Sequence, residues 1–333
     1  MKWIDMHCDT LSMLLEEKAA GLVRNRLCVD VERLKEAGAA AQFFACYVNA
    51  ADFFGKSTVR KTGIPWDRAY EKVLDMTVYA CREENAGFGI ARSSEDILRM
   101  EREKCIAGIL TVEEGGVLNG RADRLDELYN RGIRLITLTW NHKNCVGSPN
   151  SRERNEMEKG LTPFGIETVE RMNELGMIVD VSHLSDGGFW DCIRYSKRPI
   201  AASHSNARAL CPHPRNLTDE MLRALGEKGG VVGVNFYGAF LRLPGAGEKA
   251  SGRADITVIV RHIRHMMDMA GEDAVALGTD FDGFDIESLP KGIEGVQDMD
   301  ALWDAMRRAG FTERQIEKTA YENVMRVLGE CIG

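Results

Sequence analysis

The sequence lacks the marks of secreted, membrane-spanning and nucleic-acid-binding proteins. Its nine cysteines are an odd number and include no Cys-x-x-Cys pair, so we expect reduced thiols in a cytoplasmic protein. No apolar run approaches the roughly 20 residues needed to cross a bilayer, and no basic segment with an apolar stretch precedes the first predicted strand at Trp3. The net charge of −8 disfavours nonspecific nucleic-acid binding. We therefore expect neither a nucleic-acid nor a membrane partner.

What the sequence does contain is a repeated alternation of strand and helix patterns over its 333 residues. Eight such alternations predict a parallel sheet that can close into a (β/α)8 TIM barrel, and barrels of this length commonly form one domain, here residues 1–333. The eight apolar runs are Trp3–Met6, Ala40–Val48, Ile106–Val112, Ile133–Thr139, Met177–Val181, Pro199–Ser203, Val231–Asn235 and Ala274–Gly278.

Helix start signals support this alternation. Thr162 followed by Pro163 predicts a helix that runs to Leu175, with Gly176 ending it. Asp255 caps another predicted helix, and Thr312-x-x-Gln315 has the form of a capping box for the final helix.

Two connections are longer than usual, at 49–66 and 141–161. Both follow predicted strands, so both would lie on the C-terminal rim of a barrel, where long loops often form lids or substrate walls. A disordered insertion is an equally good interpretation of the second connection.

Polar residues stand at the C-terminal ends of the predicted strands, the place where barrel active sites lie. His7 and Asp9 are two residues apart, a spacing that points both side chains to one face of a strand. The remaining tips carry Glu113-Glu114, Asp180-Val181-Ser182-His183, Ser203-His204 and Asp280-Phe281-Asp282.

Imidazole and carboxylate ligands without thiolate suit zinc or a similar divalent metal at a hydrolytic site. We interpret His7, Asp9, Glu114, His183 and His204 as metal ligands, because chance placement at four strand tips is hard to accept. The other histidines have structural explanations that involve no metal. His262 and His265 fit the interior of a helix, and His213 can pack beside Pro214.

These residues match a known family in both order and spacing, over nearly the full chain. The chain resembles the membrane dipeptidase (renal dipeptidase) family of zinc peptidases, as a bacterial-type member without a lipid anchor. The matching segments are Asp5-x-His7-x-Asp9, Val112-Glu113-Glu114-Gly115-Gly116, Leu138-Thr139, Asp180-Val181-Ser182-His183, Ser203-His204-Ser205, Arg215-Asn216 and Asp280-Phe281-Asp282-Gly283.

The resemblance implies a metallo-dependent hydrolase barrel with two Zn²⁺ ions that hydrolyses dipeptides through a metal-activated hydroxide, and it leaves open whether dipeptides with a C-terminal D-residue are included. By the same carry-over, His7 and Asp9 bind one zinc, His183 and His204 bind the other, and Glu114 bridges them. The resemblance also suggests a homodimer.

Two further residues take substrate roles by the resemblance. Arg215 corresponds to the arginine that meets the substrate's terminal carboxylate, and its planar fork suits that group. Asp280 corresponds to the aspartate that faces the reacting amide, where it can move a proton from water to the leaving amine.

One position departs from the family pattern. A substrate-binding histidine often follows the Leu-Thr of strand four, where this chain has Trp140. Either His142 reaches inward as a substitute, or Trp140 narrows the pocket and no histidine serves there.

Two other functions compete with this hypothesis. Another amidohydrolase on the same barrel would act on a cyclic amide, a lactone or a deaminase substrate, but that superfamily usually carries His-x-His on strand one and a modified lysine on strand four. Here Asp9 replaces the second histidine and strand four has no lysine. A binding protein on a decayed barrel is disfavoured by ligand-type residues at every expected tip.

Overall fold

Eight parallel strands close into a barrel, and a ninth short strand lies against its outer edge. The computed structural model describes residues 1–17, 21–53, 64–85, 87–245 and 253–333. In chain order the strands are β1 (Trp3–Cys8), β2 (Ala39–Tyr47), β3 (Phe88–Ile90), β4 (Ile106–Glu113), β5 (Ile133–Thr137), β6 (Ile178–Asp180), β7 (Ile200–Ala202), β8 (Val231–Val234) and β9 (Val275–Leu277).

Closure follows from the strand pairing. β2 pairs with β1 on one side and with β4 on the other, and the parallel series β4 to β9 returns to β1. The predicted (β/α)8 barrel is thus confirmed, with each of the eight apolar runs contributing one barrel strand. β3 was not predicted. Its three residues pair with the first residues of β4, whereas β5 pairs with the last residues of β4.

Helices surround the barrel, and their predicted boundaries are well reproduced. Thr162 caps the helix Pro163–Leu175 and Gly176 ends it with φ 78°, a left-handed conformation that suits glycine. Asp255 caps Ile256–Ala270. Thr312 forms a complete capping box with Gln315, but the helix that it begins is Glu313–Glu317, which precedes the final helix Asn323–Cys331. The helices are α1 (Thr10–Glu17), α2 (Val31–Glu36), α3 (Ile64–Arg82), α4 (Ser94–Arg102), α5 (Ala122–Asn130), α6 (Arg154–Met157), α7 (Pro163–Leu175), α8 (Asp186–Tyr195), α9 (Asp219–Glu227), α10 (Gly238–Leu241), α11 (Ile256–Ala270), α12 (Asp300–Arg308), α13 (Glu313–Glu317) and α14 (Asn323–Cys331).

Two apolar layers hold this arrangement together, and β4 shows how one strand serves both. Leu110 and Val112 pack outward with the helix side chains, whereas Ala107 and Ile109 belong to the layer inside and below the barrel. This alternation is the two-residue period of a strand that is buried on both faces. Odd-numbered residues of β4 therefore point into the barrel.

The two long connections have different outcomes. Residues 54–63 of the first lie outside the described residues. The second is described throughout and contains α6, so the disordered interpretation is wrong for it. Within the described ranges, we find no helix with the length and apolar character that a bilayer crossing requires.

Candidate active site

The predicted polar residues meet at the C-terminal end of the barrel. His7 ends close to the tip of β1, His183 and His204 follow β6 and β7, and Asp280 follows β9. The imidazole rings of His7 and His204 stack with centroids 3.8 Å apart, and the Nε2 atoms of His183 and His204 are 3.0 Å apart. Four strands distant in sequence thus bring their side chains to one small volume.

Glu113 lies at the centre of this cluster. Its Oε1 is 3.1 Å from His183 Nε2 and 3.5 Å from His204 Nε2, and its Oε2 is 3.4 Å from His7 Nε2. Three groups of ligand atoms lie within 4.8 Å of one another: His7 with Asp9 and Glu113, Glu113 with His183 and His204, and His7 with His204 and Asp280. Glu113 is the carboxylate that the first two groups share.

The prediction of Glu114 as the bridging residue is therefore corrected. Glu114 is buried, but its Oε1 accepts hydrogen bonds from the Gly116 backbone at 2.9 Å and from Asn144 Nδ2 at 2.6 Å. It belongs to none of the three groups. The physical reason is strand parity: Glu113 continues the inward series of β4, and Glu114 begins the turn beyond it with φ 114°. Because β4 is buried on both faces, the sequence gives no signal of which alternate residues point inward.

Burial and mutual proximity shift the ionisation of the carboxylates. Burial raises the pKa of Glu113 to about 7, against the opposing effect of His7, and it raises the pKa of Asp280 to about 6. Burial lowers the pKa of His7, but the carboxylates of Glu113 and Asp9 outweigh it and hold that pKa well above its usual value. Gathering these charges is costly unless cations are bound among them.

The other two histidines are held neutral, the state that a metal requires of an imidazole. Burial, with Arg215 and His7 nearby, lowers the pKa values of His183 and His204 well below the usual one. Ser203 Oγ donates to Asp180 Oδ2 at 2.6 Å and lies 2.7 Å from His204 Nδ1. Because that hydroxyl proton is directed to Asp180, His204 Nδ1–H donates to Ser203, which leaves Nε2 free as a ligand. Sequence reasoning did not assign this role to Ser203.

The donor set fits divalent cations on its own chemistry. Nitrogen and carboxylate oxygen atoms converge without any thiolate, since Cys8 points outward into the apolar layer. Asp9 Oδ1 is buried with no hydrogen-bond partner among the described residues. A bound cation would satisfy it.

Asp280 is fixed by its neighbours. Its backbone has φ 63°, its N–H donates to His7 O at 3.2 Å, and its Oδ2 accepts from Asn235 Nδ2 at 2.8 Å. Gly283 lies so close that a Cβ there would stand 2.3 Å from Asp280 Oδ1 and 2.5 Å from Asp9 Oδ2. Asn235 and Gly283 are thus functional neighbours that the sequence hypothesis left without a role.

Arg215 is a buried cation beside the cluster. Its Nη1 donates to Ser205 Oγ at 3.0 Å and its Nη2 to His204 O at 2.9 Å. Nε has no partner, and no carboxylate of the described ranges forms an ion pair with the guanidinium. Burial lowers the pKa of Arg215 to about 10, so the group remains charged near neutral pH. A buried, incompletely paired guanidinium is suited to an incoming anion.

A cavity of about 440 Å³ opens over the cluster, within the range of small-molecule sites. Trp140 lines it, together with Asn150 from the same connection, whereas His142 does not line it. The His142 ring lies 6.0 Å from the Trp140 ring. His213 also lines the cavity, and its Nδ1 accepts from the Arg215 backbone N–H at 3.2 Å. Four further aromatic side chains line the cavity: Tyr47, Tyr237, Phe240 and Phe284.

Comparison with known proteins gives a consistent result. The family model described as "Membrane dipeptidase (Peptidase family M19)" matches residues 1–331. A Schizosaccharomyces pombe protein named uncharacterized dipeptidase C965.12 is 33% identical over 308 residues, covering 90% of this chain and 71% of that protein. A Klebsiella pneumoniae protein named only as uncharacterized, in the pqqA 5′ region, is 40% identical over 246 residues, covering 71% of this chain and 86% of its own length.

Solved structures agree with the sequence comparisons. A metallopeptidase from Rhodobacter sphaeroides, liganded with a phosphinate mimic of the dipeptide L-Ala-D-Ala, superposes with a TM-score of 0.86 at 30% identity, covering 99% of both chains. A second metallopeptidase, named dipeptidase AC, superposes with a TM-score of 0.87 at 30% identity, covering 100% of this chain and 99% of that one.

Proposed function

The chain belongs to the membrane dipeptidase family (peptidase family M19), a family of peptide-bond hydrolases, and we propose that it hydrolyses free dipeptides with two zinc ions. The observation that carries this proposal is the position of Glu113 between two ligand groups, one of which includes His204, whose backbone oxygen accepts a hydrogen bond from the buried Arg215. The first feature suits a pair of cations, and the second suits the carboxylate of a short substrate.

In this proposal one zinc is held by His7, Asp9 and Glu113, and the other by Glu113, His183 and His204. The shared carboxylate and the neutral state of His183 and His204 support this division. Two bound cations supply the activation of a water molecule and the polarisation of a carbonyl.

Asp280 is the proton carrier in the proposal. Asn235 engages its Oδ2, which leaves Oδ1 directed towards His7 and the cluster. Oδ1 accepts the proton of the attacking water and then donates it to the nitrogen of the leaving residue as the C–N bond breaks.

Arg215 selects the length of the substrate. Its free Nε and its Nη groups face a terminal carboxylate, while Ser205 and His204 O keep the guanidinium in place. A carboxylate held there places only the amide bond one residue away next to the cluster. Trp140 and the other aromatic side chains close the cavity around a substrate of this size.

The stereochemical part of the proposal comes from a relative. The Rhodobacter sphaeroides metallopeptidase has a mimic of L-Ala-D-Ala bound, and it shares the fold over 99% of this chain. We propose that dipeptides with a C-terminal D-residue are also substrates here. We also propose a homodimer, a single domain over residues 1–333 and a cytoplasmic location. Nine cysteines without a disulfide suit a cytoplasmic location.

The test is a screen of zinc-loaded protein against L,L and L,D dipeptides, tripeptides and C-terminally amidated dipeptides. We expect hydrolysis of free dipeptides alone. Equal cleavage of amidated dipeptides or tripeptides would instead favour the alternative, a broader amidohydrolase of this barrel. Absence of any peptide hydrolysis with two zinc ions bound would reject the proposal.

A further inference from the structure

Glu114 is a buried carboxylate that the proposed mechanism does not use. It adjoins Glu113, yet it turns away from the metal-ligand groups, and its backbone has φ 114° and ψ 83°. A non-glycine residue with this φ is uncommon and is retained only where its surroundings enforce it. Its Oε1 accepts hydrogen bonds from Gly116 N and Asn144 Nδ2, so its contacts fix the turn after β4 to another part of the chain.

Asn144 links this turn to the connection that follows β5. Its Nδ2 donates to Leu138 O at 2.9 Å as well as to Glu114, and its Oδ1 accepts from Val146 N at 2.7 Å and Gly147 N at 3.0 Å. The side chain is thus fully occupied, and it ties the bend at 144–147 to the tips of β4 and β5. The buried amide of Asn144 donates two hydrogen bonds and accepts two, and these four bonds give the bend a defined structure.

Trp140 lies between these two attachment points. It follows Leu138 by two residues and precedes Asn144 by four, and its backbone N–H also stabilises the charged Glu114 carboxylate. Its ring packs edge-to-face on Tyr47 at 5.0 Å and lies 6.3 Å from the His183 ring. Whatever holds the 138–144 segment therefore sets the distance between the Trp140 ring and the metal-ligand cluster.

We propose that Glu114 and Asn144 are positioning residues that hold Trp140 in the substrate wall. The inference rests on the proposed dipeptidase function, since it concerns the same cavity. It assigns to Glu114 a role in substrate binding in place of metal binding. The carboxylate acts through Asn144 and the backbone, without touching the reacting atoms.

The first experiment compares Asn144→Ala with the unaltered protein and with Glu153→Ala, which removes an exposed carboxylate from the same connection. Bound zinc should remain at the unaltered level in both variants. For L-Ala-D-Ala hydrolysis, KM should rise about tenfold in Asn144→Ala while kcat stays within about threefold, because ground-state and transition-state binding are lost together. Unchanged KM, or loss of zinc, would overturn the proposal.

Two further variants separate positioning from general damage. Glu114→Gln keeps an oxygen that can accept from Gly116 N and Asn144 Nδ2, so its KM should stay near that of the unaltered protein, whereas Glu114→Ala should resemble Asn144→Ala. In a Trp140→Ala background, Asn144→Ala should add little to KM, because the residue it positions is gone. Fully additive effects would show that Asn144 acts elsewhere.

A readout independent of activity completes the test. Lys143 is exposed and directly precedes Asn144, so release of the bend should raise the rate of tryptic cleavage there about tenfold or more, in proportion to the population of the open form. Glu153→Ala should show no increase. If the zinc-loaded protein cleaves no dipeptide, the proposed function fails by itself, and the proteolysis still decides whether Glu114 and Asn144 hold this segment.

Discussion

Glu113 and Glu114 are consecutive in the chain, yet their carboxylates face different parts of the protein. Glu113 Oε1 lies 3.1 Å from His183 Nε2, while Glu114 Oε1 accepts from Asn144 Nδ2 at 2.6 Å. The strand ends at Glu113, and the turn begins at Glu114. Glu113 is therefore a candidate metal ligand, whereas Glu114 supports the wall of the substrate cavity.

The two glutamates should therefore respond differently to the same substitution. Glu113→Gln removes an anionic ligand that both zinc ions share. It should weaken zinc binding at both positions by at least roughly 10–100-fold, the loss usually caused by mutating a residue that only hydrogen-bonds to a metal ligand. Glu114→Gln should retain both ions. Zinc titration against a competing chelator measures the difference, and the opposite order would return the bridging role to Glu114.

Asp280→Asn should lose roughly 100-fold or more in kcat, the usual scale of general acid–base catalysis, because the amide cannot accept the proton at Oδ1. Elemental analysis should find zinc retained, since the five proposed ligand residues are intact. Asn235→Ala should reduce kcat less, because it frees Oδ2 without removing the carboxylate. Full activity of Asp280→Asn would remove this residue from the mechanism.

The Arg215 contact is best tested from both sides. Amidation of the substrate's C-terminus should cost on the order of 2–5 kcal/mol in kcat/KM, because it leaves a buried guanidinium without its charge partner. Arg215→Met should impose a similar loss on free dipeptides and little further loss on amidated ones. This double cycle isolates the pairing, and additive losses would contradict it.

Ser203→Ala should weaken zinc binding about 10–100-fold, because His204 then loses the hydroxyl that fixes its Nδ1–H tautomer. Ser203→Thr keeps a hydroxyl and should restore most of the affinity. Ser196→Ala, which removes another buried hydroxyl away from the cluster, serves as the control. The same competition titration measures all three, and equal affinities would exclude the tautomer role.

The free energy of unfolding should fall in acid through His262. Burial lowers the pKa of this histidine to about 4, while its Nδ1 accepts from Ala207 N and its Nε2 donates to Leu241 O. In the unfolded chain a histidine has a pKa of about 6.5. Between pH 6.5 and 4 the unfolded chain therefore binds a proton at His262 that the folded protein does not bind, which lowers the free energy of unfolding by up to about 3 kcal/mol. Denaturant titrations of the unaltered protein and His262→Gln should show a shallower pH dependence for the variant. Identical slopes would contradict this assignment.

Much of the fold was accessible to local reasoning. The apolar runs and the caps at Thr162, Asp255 and Thr312 act over a few residues, so their patterns predicted the barrel and three helix starts. β3 escaped because three residues carry too little pattern. The two-residue spacing of His7 and Asp9 likewise identified a pair that the structure brings to one cluster.

The sequence by itself determined which elements form and which residue types stand at their ends, because hydrophobic period and capping chemistry are local properties. Only the tertiary structure decided which neighbour among such residues faces the cluster. The choice of Glu113 over Glu114, and of Trp140 over His142 as a wall, depends on where each strand stops and on contacts such as that of Asn144, which lies 30 residues beyond Glu114. Asn235 and Ser203 acquire their roles in the same way, from the convergence of strands that closure of the barrel produces.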